Sequence, residues 1–252
     1  MLKFSVLLLF LILSVSASKK PKCLKGQYHK SRATPEADMQ ECTIYDKSSC
    51  CHANFTKELA QSPVIKVYNT YWNRCGNLSE SCESYMKKID CFYMCSPLAV
   101  HWENRNYSAA IEHVPICQKF CDGWYDACKN DLTCVNNWLT DWEIDEKGEN
   151  HCKNECIPYS QMYSNGTDLC ESSWGNSLKV SESTCRCLNL NENDVNFFKY
   201  IRHDSSSSSS SSSDSSSEER ACRRKMIKLE QLKEAEEEGL EEDLEKDVEE
   251  IL

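Results

Sequence analysis

Cysteine is the residue type with the most chemistry to offer in this chain. Eighteen cysteines occur in 252 residues, and a thiol can ligate a metal, act as a nucleophile or close a disulfide. The spacing Cys-x-x-x-Cys recurs at Cys91/Cys95, Cys117/Cys121 and Cys152/Cys156, with His101, His113 and His151 near in sequence, so zinc has to be weighed. Zinc ribbons use mostly Cys-x-x-Cys pairs and occur where thiols stay reduced, whereas so dense and even a cysteine count belongs to an oxidising compartment. Adjacent Cys50 and Cys51 point the same way, because neighbours seldom bond to each other and instead staple two separate elements. Disulfides are therefore expected throughout, with no metal and no thiol left as a nucleophile. No Gly-x-Ser-x-Gly elbow and no His-Glu-x-x-His helix occurs. Asp141 and Glu143 flank Trp142 and are the nearest approach to a glycosidase pair, but acidic residues around one ring read better as a solvated loop rim. The chain is read as a non-enzyme, and a secreted hydrolase with dispersed catalytic residues is the enzymatic alternative.

Aromatic rings are the second resource. Tryptophans stand at 72, 102, 124, 138, 142 and 174, and no ring lies beyond Tyr200. A disulfide-stapled body has a thin apolar core, and one reading is that these rings fill it. The other is that some line a cleft for a flat heteroaromatic ligand, with disulfides fixing the spacing between stacking faces. Composition does not choose between them.

The elements that must position these residues are mostly helical. From Ser79 to Cys95 the residues Cys82, Tyr85, Met86, Ile89 and Tyr93 recur at three- and four-residue steps, and Ser96-Pro97 ends the pattern. A second helix is expected to open at Pro115, a favourable first helical residue, with Cys117, Phe120, Cys121, Trp124 and Cys128 on one face. A third, shorter one is expected after Asn165-Gly166-Thr167, capped by Asp168 or Thr167. Pro63 to Val67 reads as a strand. The fold class is thus α+β: disulfide-rich, mainly helical, with short strands.

The ends differ from the body. Met1-Leu2-Lys3, the apolar run Phe4 to Leu13 and the small residues through Ser18 form a secretory signal peptide over 1–18, too short to span a bilayer. The body covers 19–203, a serine-rich segment 204–222, and an acidic tail, helical or disordered, 223–252. The net charge of -11 lies mostly in the last two segments, so a nearly neutral body argues against nucleic acid, which needs a basic face. The chain closes on Asp247-Val248-Glu249-Glu250-Ile251-Leu252 without the hydrophobic tail of a lipid-anchor signal, so no membrane anchor is expected. Sequons at Asn54, Asn77, Asn106 and Asn165 fit a glycoprotein, Asn54 and Asn165 foremost.

The order of motifs decides between the two readings of the rings. Cys50-Cys51, Tyr71-Trp72-Asn73-Arg74-Cys75-Gly76, Cys91-Phe92-Tyr93-Met94-Cys95-Ser96-Pro97, Val114-Pro115-Ile116-Cys117 with Cys121, and Asn137-Trp138 follow one another. From about Cys23 to Cys187 this succession resembles the folate receptor and riboflavin-binding protein family. The absent anchor signal and the serine-rich acidic segment resemble its riboflavin-carrying members more than its folate receptors. The resemblance implies a flavin ring held between Tyr93 and Trp174, with Trp124 and Trp138 as further candidates. It also implies bridges Cys23–Cys50, Cys42–Cys91, Cys51–Cys95, Cys134–Cys152 and Cys185–Cys222, while Cys75, Cys156, Cys82, Cys128, Cys117, Cys187, Cys121 and Cys170 complete the set. The function implied is a soluble, secreted, monomeric carrier of riboflavin in plasma or egg, delivering it to the oocyte. A folate carrier, or a cell-surface recognition protein on the same scaffold, are the alternatives.

Ser205 to Ser213 and Ser215 to Ser217, punctuated by Asp214 and followed by Glu218-Glu219, cannot bury a core. Ser216 and Ser217 each have Glu two residues on, the pattern secretory-pathway kinases favour, and each phosphate supplies the acid for an earlier serine. Ser212, Ser213, Ser215, Ser216 and Ser217 are the expected sites. Each phosphate adds about -1.5 to -2, making a polyanion suited to Ca²⁺ and to a basic uptake receptor on the oocyte.

Overall fold

A computed structural model describes residues 21–183, 185–194, 219–220, 222–224 and 227. The signal peptide, the phosphoserine candidates and nearly all of the acidic tail lie outside the described residues.

All eighteen cysteines are bridged. The nine pairs are Cys23–Cys50, Cys42–Cys91, Cys51–Cys95, Cys75–Cys156, Cys82–Cys128, Cys117–Cys187, Cys121–Cys170, Cys134–Cys152 and Cys185–Cys222. The five pairings implied by resemblance are among them. Cys50 and Cys51 diverge as expected, one to the N-terminal segment and one to the central helix.

The first helix, α1 (Ala53–Leu59), follows directly and buries Phe55 and Leu59. Two short strands, β1 (Lys66–Val67) and β2 (Thr70–Tyr71), pair antiparallel. The strand expected from Pro63 is confined to its last two residues, because the Val64 N–H is taken by the Glu83 carboxylate at 2.6 Å and not by a ladder partner. Helix α2 (Glu80–Cys95) is the predicted one. Ser79 accepts from the Cys82 N–H as N-cap, Glu80 and Glu83 favour the positive end of the helix, and Cys82, Met86, Ile89 and Cys95 are buried.

The helix expected at Pro115 begins later. Val114–Cys117 is strand β3, and α3 starts only at Gln118 and runs to Cys128. Val114 and Ile116 are β-branched and wholly buried, which suits a strand. Pro115 lacks an N–H but keeps its carbonyl, which accepts from Leu188 at 2.8 Å, while the Cys117 N–H returns to the Leu188 carbonyl at 3.0 Å. Four short strands follow in two antiparallel pairs: β4 (Leu132–Thr133) with β7 (Ile157–Pro158), and between them β5 (Glu143–Ile144) with β6 (Asn150–His151). The one-turn α4 (Tyr159–Met162) leads to α5 (Gly166–Ser172). Its cap is neither Thr167 nor Asp168: Asn165 accepts from the Asp168 N–H at 3.0 Å, and Asp168 accepts from the Ser164 N–H at 2.8 Å. Asp168 therefore completes a reciprocal cap one turn inside the helix. Strand β8 (Leu178–Ser181) then pairs parallel with β3, Val114 facing Leu178.

The core lies where α2, α3 and α5 meet. Cys82–Cys128 ties α2 to α3, and Cys121–Cys170 ties α3 to α5. Met86, Trp124, Tyr159 and Leu169 fill the space between them, each fully buried. The helices approach closely enough that glycine is required: a Cβ on Gly166 would lie 2.6 Å from the backbone of Cys121 and Asp122. Gly166→Ala keeps the sequon at Asn165 but forces α5 away from α3, at a cost of about 2 kcal/mol typical of overpacking. A lowered chemical-denaturation midpoint is the expected result, and an unchanged midpoint would refute the close packing.

Candidate functional site

Tyr93 sits on the last turn of α2, two residues from Cys91 and two from Cys95. Those cysteines are bonded to Cys42 and Cys51, so the backbone on both sides of the ring is anchored. The side chain is held as well. Its hydroxyl donates to the Ala109 carbonyl at 2.6 Å, and burial raises its pKa, keeping it a donor. The His29 ring meets the phenol edge-on, with centroids 5.1 Å apart and planes at 90°, and its Nε2 lies 3.1 Å from the Tyr93 carbonyl.

More rings continue this side. Tyr28 stacks on Tyr68 at 3.9 Å and 18°, and Tyr68 on Phe55 at 5.8 Å and 16°. Tyr68 reaches this position through a left-handed backbone, φ 52°, and its N–H donates to Glu58 at 3.2 Å. Tyr28, His29 and Tyr68 were not singled out from sequence, since they stand in irregular segments with no period to mark them.

Trp174 stands in a second group of rings. It follows α5 directly and precedes the 3-10 turn Gly175–Ser177, where Gly175 takes a φ of 56°. Its ring packs on Trp138 at 5.8 Å and 36°, and Trp138 meets Trp142 edge-on at 5.2 Å. The Trp138 N–H donates to the Ser173 carbonyl at 2.8 Å, so the loop carrying Trp138 and the end of α5 move as a unit. Of the sequence candidates, Tyr93 and Trp174 are half-buried, with part of each ring open. Trp138 is 6% exposed and backs Trp174; Trp124 is 0% exposed, inside the core between helices.

One segment links the two halves. Residues 103–112 fold back on themselves, Glu103 bridging Ile111 and the Asn104 N–H donating to Ala110 at 2.9 Å. Ala109 in this hairpin accepts from Tyr93, and His113 just after it donates through its N–H to the Asn176 carbonyl at 2.8 Å, two residues beyond Trp174. Tyr107 projects at the tip, 68% exposed. The indole nitrogens of Trp124, Trp142 and Trp174 are buried with no hydrogen-bond partner among the described residues.

Other sites carry less. A cavity of about 490 Å³ borders α2, but Glu41, Glu80, Glu83, Glu192, Lys87 and Lys88 line it, so it offers charge and no stacking face. Cys75, Cys134, Cys152 and Cys156 bring four sulfurs together, Cys75 and Cys152 at 3.8 Å, yet all four are bridged and none is a thiolate. Asp141 accepts from the N–H groups of Asn136 and Asn137 and from Thr140, which hold its carboxyl below the ordinary range. It braces the Trp138 loop, while Glu143 is exposed at the start of β5.

A folate receptor family profile matches residues 22–189, two thirds of the chain and nearly all of the body just described. The chain belongs to the folate receptor family. Similar family members include the riboflavin-binding protein of Dromaius novaehollandiae, 61% identical over 236 residues covering 94% of this chain and 98% of that protein. The riboflavin-binding protein of Gallus gallus is 57% identical over 238 residues, covering 94% and 99% respectively. Human folate receptor gamma is more distant, 27% identical over 205 residues and covering 73% and 83%. Among the described residues of this family member, no helix is long and apolar enough to cross a membrane.

Asp90 lies one helical turn before Tyr93, half-buried; burial foremost raises the pKa of Tyr93 and Tyr68, and the Asp90 charge adds a smaller push to each. Burial pushes its own carboxyl up to about 7. The fold thus favours the protonated acid, and its ionisation costs stability as pH rises from the unfolded value of about 3.9 through 7. Asp90→Asn should raise the denaturation midpoint at pH 8 and leave it unchanged at pH 4; equal midpoints at pH 8 would show that the carboxyl is well solvated.

Proposed function

We propose that this chain is a secreted, non-enzymatic carrier that holds the isoalloxazine ring of riboflavin between Tyr93 and Trp174. One observation carries the reading: two relatives about 60% identical, matched over almost their whole length, are riboflavin-binding proteins. The geometry supports it. A flat ring is best held by faces that are already fixed, because binding then orders no side chain, and each half of this surface is fastened at two or more points. Stacking adds about 0.5–1.5 kcal/mol per ring beyond area burial. Nanomolar affinity needs about 12 kcal/mol, so most of it must come from removing the ring faces from water and from hydrogen bonds to the polar edge.

The remaining features fit secretion and delivery. A signal peptide at 1–18 would bring the chain into an oxidising compartment where nine bridges form. Asn54, Asn77, Asn106 and Asn165 are all exposed, as acceptors of sugar must be, and Asn54 and Asn165 are the principal sites we infer. Cys185–Cys222 bridges the two sides of the serine-rich segment. Phosphorylated at Ser212, Ser213 and Ser215 to Ser217, that segment would present a polyanion to Ca²⁺ and to a basic receptor on the oocyte. Folate is the second reading, favoured by the human receptors at 27–29% identity.

Titrating riboflavin and folate separately against purified protein distinguishes the two. Flavin fluorescence should be quenched one to one, whereas bright flavin with folate bound would reverse the assignment. Tyr93→Ala and Trp174→Ala should each weaken riboflavin on the order of 100-fold, from lost stacking and lost burial together. Full affinity in both variants would remove these rings from the site.

A further inference from the structure

Tyr93 is held by more than its own helix, and the holder is a histidine that the binding surface does not otherwise need. We propose that His29 is a positioning residue for riboflavin binding, holding Tyr93 in its stacking orientation by donating from Nε2 to the Tyr93 carbonyl. The inference rests on the assignment of Tyr93 to the flavin site.

The chemistry of the contact fixes the state of the imidazole. A backbone carbonyl can only accept, so at 3.1 Å the His29 Nε2 must carry the hydrogen. In the neutral ring Nδ1 is then a lone-pair acceptor, and Nδ1 is buried with no partner among the described residues. Neutrality is the state such a site tolerates, because an imidazolium would bury a second N–H with nothing to receive it. Burial accordingly holds His29 below its ordinary pKa. Room for Nδ1 is kept by Gly26, whose Cβ, if present, would lie 2.7 Å from that nitrogen.

The chain also takes care to place His29. Cys23–Cys50 ties its segment beside Cys51–Cys95, and the Lys30 N–H donates to the Cys50 carbonyl at 2.8 Å. The Cys50 N–H in turn donates to the Cys95 carbonyl at 2.9 Å, two residues from Tyr93. On the other side the Lys25 N–H donates to Ser108 at 3.1 Å, next to the Ala109 that receives the Tyr93 hydroxyl. The segment carrying His29 is thus docked to both the helix end and the hairpin that hold the ring.

The test separates the two contacts. His29→Phe keeps a ring edge and removes the donor; His29→Gln keeps a donor at comparable reach and removes the ring. Riboflavin Kd, read by flavin quenching, should rise about tenfold in His29→Phe and be restored to within about twofold in His29→Gln. Adding His29→Phe to Tyr93→Ala should change Kd no further, since there is no ring left to position. Equal loss with and without Tyr93, or an unchanged Kd in His29→Phe, would overturn the proposal while leaving the carrier assignment standing. Absence of quenching by the unaltered protein would overturn both. Nitrogen-15 NMR of the unaltered protein gives a check that needs no variant: Nε2 protonated with Nδ1 bare is required, and the opposite tautomer refutes the lock.

Discussion

The constraint on which this structure depends is the covalent fastening of the end of α2. Three of the helix's cysteines leave it for different parts of the chain, and the last two bracket Tyr93. A helix end is ordinarily the place where backbone order decays, with its final carbonyls lacking partners. Here the last turn cannot fray without dragging on residues 42 and 51. A native bridge in a small extracellular domain is typically worth about 2–5 kcal/mol, largely by limiting what the unfolded chain can explore. The local effect matters more for function: an aromatic face is mounted at a point that would otherwise be soft.

The second half of the surface is built differently, by packing instead of by bridges at the ring itself. Trp174 leans on Trp138, Trp138 on Trp142, and Asp141 ties down the loop that carries both. The close approach of α5 to α3 at Gly166 then sets where Trp174 begins. Residues 103–113 touch both halves, Ala109 accepting from the Tyr93 hydroxyl and His113 donating through its N–H to Asn176. Such a surface is arranged before any guest arrives, and that suits a carrier, whose task is to hold and not to transform.

How much of this was legible depended on whether a feature is local. Helix α2 was readable because Ser79, the three- and four-step apolar residues and Ser96-Pro97 all lie within a few turns of one another. The oxidised state of the cysteines followed from their number and from adjacent Cys50 and Cys51. Pro115 misled because first-turn proline and strand proline look alike, and what decided were β8 and Leu188, both more than sixty residues away, which flank β3. The cap of α5 was displaced for a subtler reason. Asn165, Asp168 and Ser164 satisfy one another in a ring, so any of them can be named from sequence, and only geometry says which stands outside the helix. Tyr28, His29 and Tyr68 carried no signal, because irregular backbone tied by bridges has no period. Trp124 shows the converse: its type suited a binding wall, but its place on α3 faces the other helices.

The cap at Asn165 also bears on what a sugar at the same side chain would require. Only the side-chain carbonyl of Asn165 is engaged in holding the first turn of α5; the amide nitrogen, to which a saccharide would be joined, is not among the capping atoms. Because transfer of an oligosaccharide acts on newly translocated chain before it folds, a sugar at this asparagine would precede the helix it terminates, and α5 would have to wind up beneath an attachment already made. The arrangement permits this, since the two tasks fall on different atoms of one side chain. The first turn of a helix that sets the position of Trp174 would then carry the weight of a glycan at its outer edge.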